Sequence, residues 1–393
     1  MPTTFRLGHR PALDGLRGLF VLIVVAYHIG LPYSEGGYLG VDGFFVLSGF
    51  LITSLLLQER QTHGKIDLTG FYKRRALRLL PGLALFLTTM AVATILFGPP
   101  GKVLPNLRGV VAAALYISNW AMIYLPRFGI ADTLGMLGHM WSLAIEEQFY
   151  LVWPVALILV LRYLTKRSIL IILTTLIVCL VAWRAHLYLE FDPVAHRWES
   201  YESMRLYIGT DSRSDGLVIG ALLSCFLSFG VIRPTPRLRS FTRLSLALLL
   251  PVLVFSIGYP IPRPLGYFYG GYTLLSITFA LCILHIIASP SGVAARLLSL
   301  RPLVGTGKVS YGLYLWHPPI FLVFGLFLTG WANPPLQVAG LLVTVVVVLF
   351  SYYFVEMPAV RLKSRLVRAG SATNDPQDRQ TQSAQRNPVP ESA

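Results

Sequence analysis

An arginine and a histidine are predicted to share one face of the first apolar segment, RPALDGLRGLFVLIVVAYHIG, where Arg17 and His28 lie 11 positions apart. At about 100° per residue, this spacing leaves the side chains within about 20° of each other and about 16 Å apart along a helix axis. A histidine deep in an apolar helix is costly and is therefore a candidate functional residue. A structural histidine bonded to a neighbouring helix is the alternative. Because imidazole titrates near neutral pH, His28 is a candidate general base.

Three carboxylates are candidates to orient this imidazole, as carboxylates do in catalytic triads. Asp42 opens the second apolar segment, and Glu146 and Glu147 are adjacent in the run GHMWSLAIEEQFYLVWP. Adjacent carboxylates inside a membrane helix are expensive unless they are paired or hydrated. The sequence leaves open which of the three acts on His28, and whether each pairs instead with an arginine of another helix.

A basic cluster precedes the third apolar segment in the run FYKRRALRLLPGL. Arg75 and Arg78, together with Arg74, are three and four positions apart at the start of a helix, so their guanidinium groups are expected on one face. Guanidinium groups suit bidentate binding of phosphate. The cluster therefore predicts an anion-binding site, and a topogenic cluster in contact with lipid headgroups is the alternative.

Further polar residues in the apolar segments are predicted to line a cavity. His139 and Tyr150 share a helical face with Glu146, and Tyr314 and His317 are neighbours on one face of the run KVSYGLYLWHPPIF. The other candidates of this kind are Arg213, Ser310 and Tyr311.

Composition predicts an all-α integral membrane protein with a polar central cavity. Of 393 residues, 54% are hydrophobic and 13% charged, and apolar runs long enough to cross a bilayer recur along the chain. If the apolar stretch 108–125 is a non-spanning outer segment, most of the 33 basic residues lie on one side. The positive-inside rule then predicts about ten spans with both termini cytoplasmic. The predicted spans are 13–31, 38–57, 79–97, 139–161, 168–188, 213–230, 244–259, 271–289, 308–328 and 336–356.

Charge and cysteine content exclude other classes. The net charge of +15 is attributed to membrane orientation, and no nucleic-acid partner is expected. The three cysteines form no CxxC pattern and lie in apolar stretches, so neither a disulfide nor a metal site is expected. Residues 363–393 are polar and aperiodic, which predicts a disordered cytoplasmic tail after a single transmembrane domain, 1–362.

Seven motifs in order resemble the membrane-bound acyltransferase-3 family of bacteria, over about residues 8–362. The resemblance implies a ten-helix inner-membrane O-acyltransferase that takes an acyl group, usually acetyl, from cytoplasmic acyl-CoA. It also implies an acceptor hydroxyl on an exported saccharide, a lipid or glycolipid, or a secondary metabolite. The matching runs are RPALDGLRG with His28, FFVLSGFLIT, FYKRRALRLLP, WSLAIEEQFYLVWP, DSRSDGLVIGALL, SYGLYLWHPP and VEMP.

The resemblance also assigns roles to individual residues. The essential arginine and histidine of the family fall on Arg17 and His28, and its RxxR motif falls on Arg75 and Arg78. Some relatives carry an additional SGNH hydrolase-like domain, and here a separate extracytoplasmic partner of that type, or none, is expected. The remaining matched positions are Trp141, Ser142, Glu146, Glu147, Ser310, Tyr311 and Gly312.

A mechanism follows from the resemblance and the spacing together. Arg75 and Arg78, with Arg17, are expected to hold the phosphates of acyl-CoA, and the pantetheine arm would place the thioester near His28. His28 would act as the base or carry the acyl group briefly. This mechanism requires one continuous polar channel from the basic cluster to the imidazole. A transporter or flippase of a lipid-linked saccharide, and a structural subunit, are the rival functions.

Overall fold

The computed structural model describes residues 5–99, 101–124, 135–190, 201–259, 267–327, 329 and 332–361, without the side chains of 135 and 201–203. Every regular element in these ranges is helical, and none is a strand. The all-α prediction is therefore confirmed for the described part of the chain. The predicted tail, 363–393, lies outside the described residues.

Eight helices are long and apolar enough to cross a membrane among the described residues. Each overlaps a predicted span, and at 1.5 Å per residue their lengths approach or exceed the thickness of about 30 Å of a bilayer core once the adjoining helical turns are counted. They are α1 (Pro11–His28), α2 (Gly40–His63), α3 (Leu68–Phe97), α6 (Met140–Tyr163), α7 (Lys166–Leu189), α11 (Pro236–Gly258), α12 (Tyr272–Ala288) and α16 (Pro334–Ser351).

Two predicted spans form shorter helices, each of 14 residues: α10 (Asp215–Ser228) and α15 (Ser310–Val323). At 1.5 Å per residue, each is about 21 Å long, shorter than the hydrocarbon layer. Both are preceded by short helices. The remaining helices are α4 (Val103–Ala114), α5 (Ser118–Tyr124), α8 (Tyr201–Ile208), α9 (Thr210–Arg213), α13 (Val293–Leu298) and α14 (Arg301–Lys308).

The apolar stretch 108–125 contains two helices that are both too short to span. The 12-residue α4 and the seven-residue α5 meet at Tyr116, whose φ of 54° is positive. A positive φ is incompatible with a right-handed helix, so Tyr116 ends α4 and changes the direction of the chain before α5. Gln148 of α6 donates to the Tyr116 carbonyl at 2.8 Å, which fixes this bend against the long helix.

The third span begins at Leu68, well before the predicted residue 79. Asp67 caps the helix, because its Oδ1 accepts a hydrogen bond of 2.9 Å from the Gly70 amide. The charged run that hid this part of the helix from a hydropathy criterion therefore forms its first turns. The predicted arginine cluster therefore lies on the helix, as expected, and only the predicted start of the span was too late.

The centre of the bundle depends on a close contact between α2 and α10. A Cβ atom added at Gly49 would overlap the carbonyl oxygen of Leu217, and one added at Gly220 would overlap the carbonyl oxygen of Val46. The two helices therefore approach each other backbone to backbone, as small residues allow in membranes. This contact brings Asp42 and Ser48 of α2 into fixed positions relative to the neighbouring helices.

Candidate active site

A cavity of about 340 Å³ contains the predicted anion-binding residues. Arg17 enters it from α1, Arg75 and Arg78 from α3, and Arg10 from the residue before α1. We call this space the basic cavity. It is also lined by Asp14, Ser48, Ser142, Glu146, Tyr150, Ser310, Tyr311 and Tyr314, with apolar side chains that include Leu51, Leu55 and Leu79.

Arg75 is the most strongly held cation in the basic cavity. Its Nη2 donates to Glu147 Oε1 at 3.0 Å and lies 3.8 Å from Glu146 Oε1. Its guanidinium carbon lies 3.4 Å from the centre of the Tyr150 ring, a cation–π geometry. Glu146 also accepts hydrogen bonds from Ser48 and Tyr150. Two carboxylates therefore compensate the charge of Arg75.

Tyr116 contributes a further polar group near this ion pair, in the bend between α4 and α5. Burial raises the pKa of the Tyr116 phenol above its usual range, and the nearby Glu147 carboxylate raises this pKa further. The phenol is therefore protonated at neutral pH. It can only donate its proton in hydrogen bonds or accept through its oxygen, and it adds no charge to the cluster.

Arg78 differs from Arg75, although one turn of α3 separates them. Its side chain is exposed to the basic cavity, and among the described residues it makes neither a hydrogen bond nor an ion pair. Arg17 has one weak partner, because its Nη1 lies 3.5 Å from Asp14 Oδ1. Within the described part of the chain, Arg10 donates only to the Leu7 carbonyl, at 2.9 Å. These three cations are therefore available to an anionic ligand.

Arg74 does not join the cavity, contrary to the expectation that the three arginines of the cluster act together. It points to Glu59 of α2, with Nη2 at 3.4 Å from Oε2, and its side chain is 42% exposed. The reason is angular: neighbouring positions on a helix diverge by about 100°, so Arg74 and Arg75 cannot face one cavity. Glu147 also does not line the cavity, and it contacts Arg75 on the side away from the cavity.

The second cavity, of about 290 Å³, contains His28 and His139, and we call it the histidine cavity. His28 Nδ1 lies 3.0 Å from Nε2 of His317, and the His28 ring stacks on Phe327 at 4.9 Å between ring centres. Both ring nitrogens of His139 are buried without a hydrogen-bond partner among the described residues. Aromatic residues form much of the remaining wall, namely Tyr27, Tyr38, Trp141, Tyr207, Tyr314 and Phe327.

The neighbour of His28 Nδ1 is therefore a histidine, and the expected carboxylate is not there. Glu146 and Glu147 bond to Arg75, and Asp42 Oδ1 accepts from Arg213 Nη2 at 2.8 Å. Each carboxylate lies next to an arginine because a buried negative charge requires a compensating positive charge. Pairing with an arginine of another helix is the alternative that the sequence leaves open.

Asp42 and Arg213 belong to a closed layer of ion pairs and line neither of the two cavities. They are 2% and 1% exposed, and the Arg213 guanidinium lies 3.6 Å from the centre of the Tyr272 ring. In the same layer, Arg184 Nη1 donates to Asp215 Oδ2 at 3.1 Å. Arg184 is not among the predicted site residues, although a single arginine inside the apolar run of α7 is itself a signal of buried pairing.

Two residues, Val41 and Tyr314, line both cavities and form the wall between them. The Tyr314 hydroxyl donates to the His139 carbonyl at 2.9 Å and also shares a hydrogen bond with the Ser142 hydroxyl. The expected single channel is therefore two cavities that meet at one wall. Trp141 faces the histidine cavity, and Ser142 faces the basic cavity.

The SYG motif, residues 310–312 at the start of α15, also lines the basic cavity through Ser310 and Tyr311. Ser310 donates to the Gly307 carbonyl at 2.9 Å, and the Tyr311 hydroxyl donates to the Leu79 carbonyl at 3.2 Å. These bonds attach the start of α15 to α14 and α3. Within the described ranges, no group of three or more His, Cys, Asp or Glu side chains is placed to hold a metal ion.

Comparison with protein families adds the decisive observation. The model of the acyltransferase-3 family, described as an acyltransferase domain, matches residues 10–355. The chain belongs to this family. The match includes every helix from α1 to α16, and with them both cavities of this acyltransferase-3 protein.

Curated relatives of this acyltransferase-3 chain are named as O-acetyltransferases. It is 35% identical to O-acetyltransferase OatA of Staphylococcus aureus over 363 residues, which cover 88% of this chain and 57% of the relative. It is 32% identical to peptidoglycan O-acetyltransferase OatA of Listeria monocytogenes, covering 91% and 56%. It is 34% identical to the putative peptidoglycan O-acetyltransferase YrhL of Bacillus subtilis, covering 88% and 54%. The chain thus spans little more than half the length of these relatives, and no solved structure matches it.

Proposed function

We propose that this protein is a multi-pass inner-membrane O-acyltransferase with both termini in the cytoplasm. It would transfer an acetyl group from acetyl-CoA to a hydroxyl of a cell-wall saccharide. The observation that carries this proposal is the position of Arg17 and His28 on one helix, each lining a different cavity, with the two cavities in contact at Tyr314. The names of the relatives support acetyl as the acyl group and peptidoglycan as the acceptor class.

The basic cavity suits the donor. Acyl-CoA carries phosphates at one end, and Arg78 and Arg17 line this cavity without a strong carboxylate partner among the described residues. Guanidinium groups bind phosphate through paired hydrogen bonds. Leu51, Leu55 and Leu79 offer an apolar wall along which a pantetheine arm can lie. About 16 Å of helix separates Arg17 from His28, a distance that an extended arm is able to cover. To reach His28, the arm would have to displace or pass the wall of Val41 and Tyr314.

The histidine cavity suits the acceptor and the chemistry. His28 would take the proton of the acceptor hydroxyl while the oxygen forms a bond to the acyl carbon and the carbon–sulfur bond breaks. The proton then passes from the imidazolium to the leaving thiolate, which departs as free CoA. His139 lines the same cavity and would be able to hydrogen-bond the acceptor through its ring.

The relatives extend beyond the part that matches this chain. We propose that a separate extracytoplasmic protein of the SGNH hydrolase type can receive the acyl group where the final acceptor lies outside the membrane. A glycolipid or a small metabolite with a free hydroxyl would suit the same cavity and would need no such partner.

The test is acyl transfer in proteoliposomes that contain the purified protein, with radiolabelled acetyl-CoA outside and an oligosaccharide acceptor inside. His28→Ala should lower the rate of label transfer at least about 1,000-fold, because the base is removed. His63→Ala is the matched control, because His63 is an exposed histidine at the end of α2. Full activity of His28→Ala would refute the proposal, and movement of unmodified acceptor without label transfer would establish the rival transporter function.

A further inference from the structure

We propose that His317 is a positioning residue that fixes the tautomer of His28 and shares its positive charge during the reaction. This inference rests on the proposed function for its kinetic consequences, but its structural part can be tested without any activity. His317 belongs to α15 and is 0% exposed, so it does not contact a substrate itself.

The proton on His317 can be located from its contact with Leu313. Nδ1 of His317 lies 2.6 Å from the carbonyl oxygen of Leu313, four positions earlier on the same helix. A carbonyl oxygen only accepts hydrogen bonds, so Nδ1 must carry the hydrogen. The opposite tautomer would place two lone pairs in contact at this distance.

The tautomer of His28 then follows. Burying an imidazolium without a carboxylate costs free energy, so the resting pair is neutral, and Nε2 of His317 is an acceptor. Nδ1 of His28, 3.0 Å away, must therefore donate to it. This leaves Nε2 of His28 unprotonated, on a ring that lines the histidine cavity. A general base needs such a nitrogen.

The neighbours of the pair are neutral and mostly aromatic. His139, Tyr314 and Phe321 have ring centres at 6.3, 5.9 and 5.8 Å from the His317 ring. Among the described residues, no ion pair involves either His28 or His317. A neutral imidazole thus occupies the place that a carboxylate has in a Ser-His-Asp triad.

This arrangement has a consequence during acyl transfer. When Nε2 of His28 takes a proton, the bond from its Nδ1 to His317 becomes charge-assisted and stronger. The positive charge is then shared along a chain that ends at the Leu313 carbonyl dipole. Both helices keep their positions, and only protons and their bonds change.

The structural test is nitrogen NMR of the full-length protein labelled with ¹⁵N-histidine, at a pH above neutrality. The chain has eight histidines, and a His28→Gln sample identifies the His28 signals by their loss. We expect wild-type His28 to carry its proton on Nδ1, and the His317→Phe variant to show a change toward protonation on Nε2. A wild-type His28 protonated on Nε2, or an unchanged tautomer in His317→Phe, would overturn the proposal.

The kinetic test separates positioning from general damage. His317→Phe should lower kcat about 100-fold with little change in the KM for acyl-CoA, whereas His317→Gln should recover part of kcat because its amide oxygen can accept from His28. Trp316→Phe is the matched control, since Trp316 is buried next to His317 and packs on Phe86 at 5.2 Å. An equal loss of kcat in His317→Phe and His317→Gln would refute the positioning role of His317.

Failure of the proposed function and failure of the tautomer inference would give different results. If the wild-type protein transfers no acyl group but His28 is protonated on Nδ1, the proposed function fails and the tautomer inference stands. If His317→Phe does not fold, the wild-type spectrum and the His317→Gln variant still decide the inference.

Discussion

Two regions of this protein place arginine beside carboxylate inside the helical bundle, and they differ in how completely each charge is compensated. In the closed ion-pair layer, Arg184 and Arg213 are 0% and 1% exposed and have Asp215 and Asp42 as partners. In the basic cavity, Arg78 has no partner among the described residues, and Arg17 has only a distant one. The same residue type therefore holds helices together in one region and is available to a ligand in the other.

The comparison shows that an arginine within a membrane segment is not by itself a sign of function. The partner of the arginine determines its role. A guanidinium paired with a buried carboxylate has a structural role, and one that faces a cavity without such a partner is able to bind an anionic ligand. Four arginine substitutions test this distinction, because each should affect either stability or donor binding according to its region.

The largest effect is expected for Arg213→Met. The substitution leaves Asp42 buried without a positive partner, which costs about 3–5 kcal/mol of folding free energy. The measurement is the fraction of protein that stays monodisperse in detergent after heating. The double variant Asp42→Asn/Arg213→Met removes both charges and should recover much of this loss. A single variant as stable as the wild type would show that the ion-pair layer has no structural role.

Arg75→Ala is expected to have an intermediate effect on stability, because Arg75 lines the basic cavity but is paired with two carboxylates. It removes the partner of Glu146 and Glu147, so we expect a stability loss of about 1–3 kcal/mol. The same assay of heated detergent samples measures it. Arg75→Lys keeps the charge but not the planar contact with Tyr150, and should lose less. A larger loss in the Lys variant than in the Ala variant would contradict this account.

Arg78→Ala should change donor binding and leave stability unchanged. Arg78 has no carboxylate partner that the substitution would leave unpaired, so only the proposed phosphate contact is lost. We expect the KM for acetyl-CoA to rise about tenfold, equivalent to about 1.4 kcal/mol. Steady-state kinetics at several salt concentrations is the measurement, because a lost phosphate contact should also weaken the salt dependence. An unchanged KM would assign Arg78 to lipid headgroups instead.

Arg74→Ala is expected to have the smallest effect and serves as the matched control for Arg78. Its pair with Glu59 is partly exposed, so the substitution should cost at most about 0.5 kcal/mol and leave the KM unchanged. A rise in KM equal to that of Arg78→Ala would show that the entire cluster, and not one face of α3, binds the donor.

Local sequence patterns predicted most of the helices but not their lateral contacts. Apolar period and length locate the spans because each membrane helix satisfies its own backbone hydrogen bonds. The pairing of His28 with His317 joins positions 289 residues apart, and nothing in either segment encodes it. The carboxylate expected at His28 was a plausible analogy, but arginines on other helices attract all three candidates.

The 11-residue spacing of Arg17 and His28 is the sequence feature that indicated most about the candidate site. Both residues do belong to one uninterrupted helix, and both line cavities. What the spacing could not predict is the wall between those cavities, since Val41 and Tyr314 come from two other helices. A role for Tyr314 was suggested only by its position near His317 in the SYG run.

That wall has a consequence for a cell whose membrane stores energy as a proton gradient. A file of water molecules joining the two membrane faces would conduct protons and dissipate the voltage that drives transport and ATP synthesis. The hydroxyl of Tyr314, held by Ser142 and the His139 backbone, lies between the two cavities beside the apolar side chain of Val41. Under the proposed function, a wall at this place would limit such a leak while the donor and the acceptor enter from opposite sides.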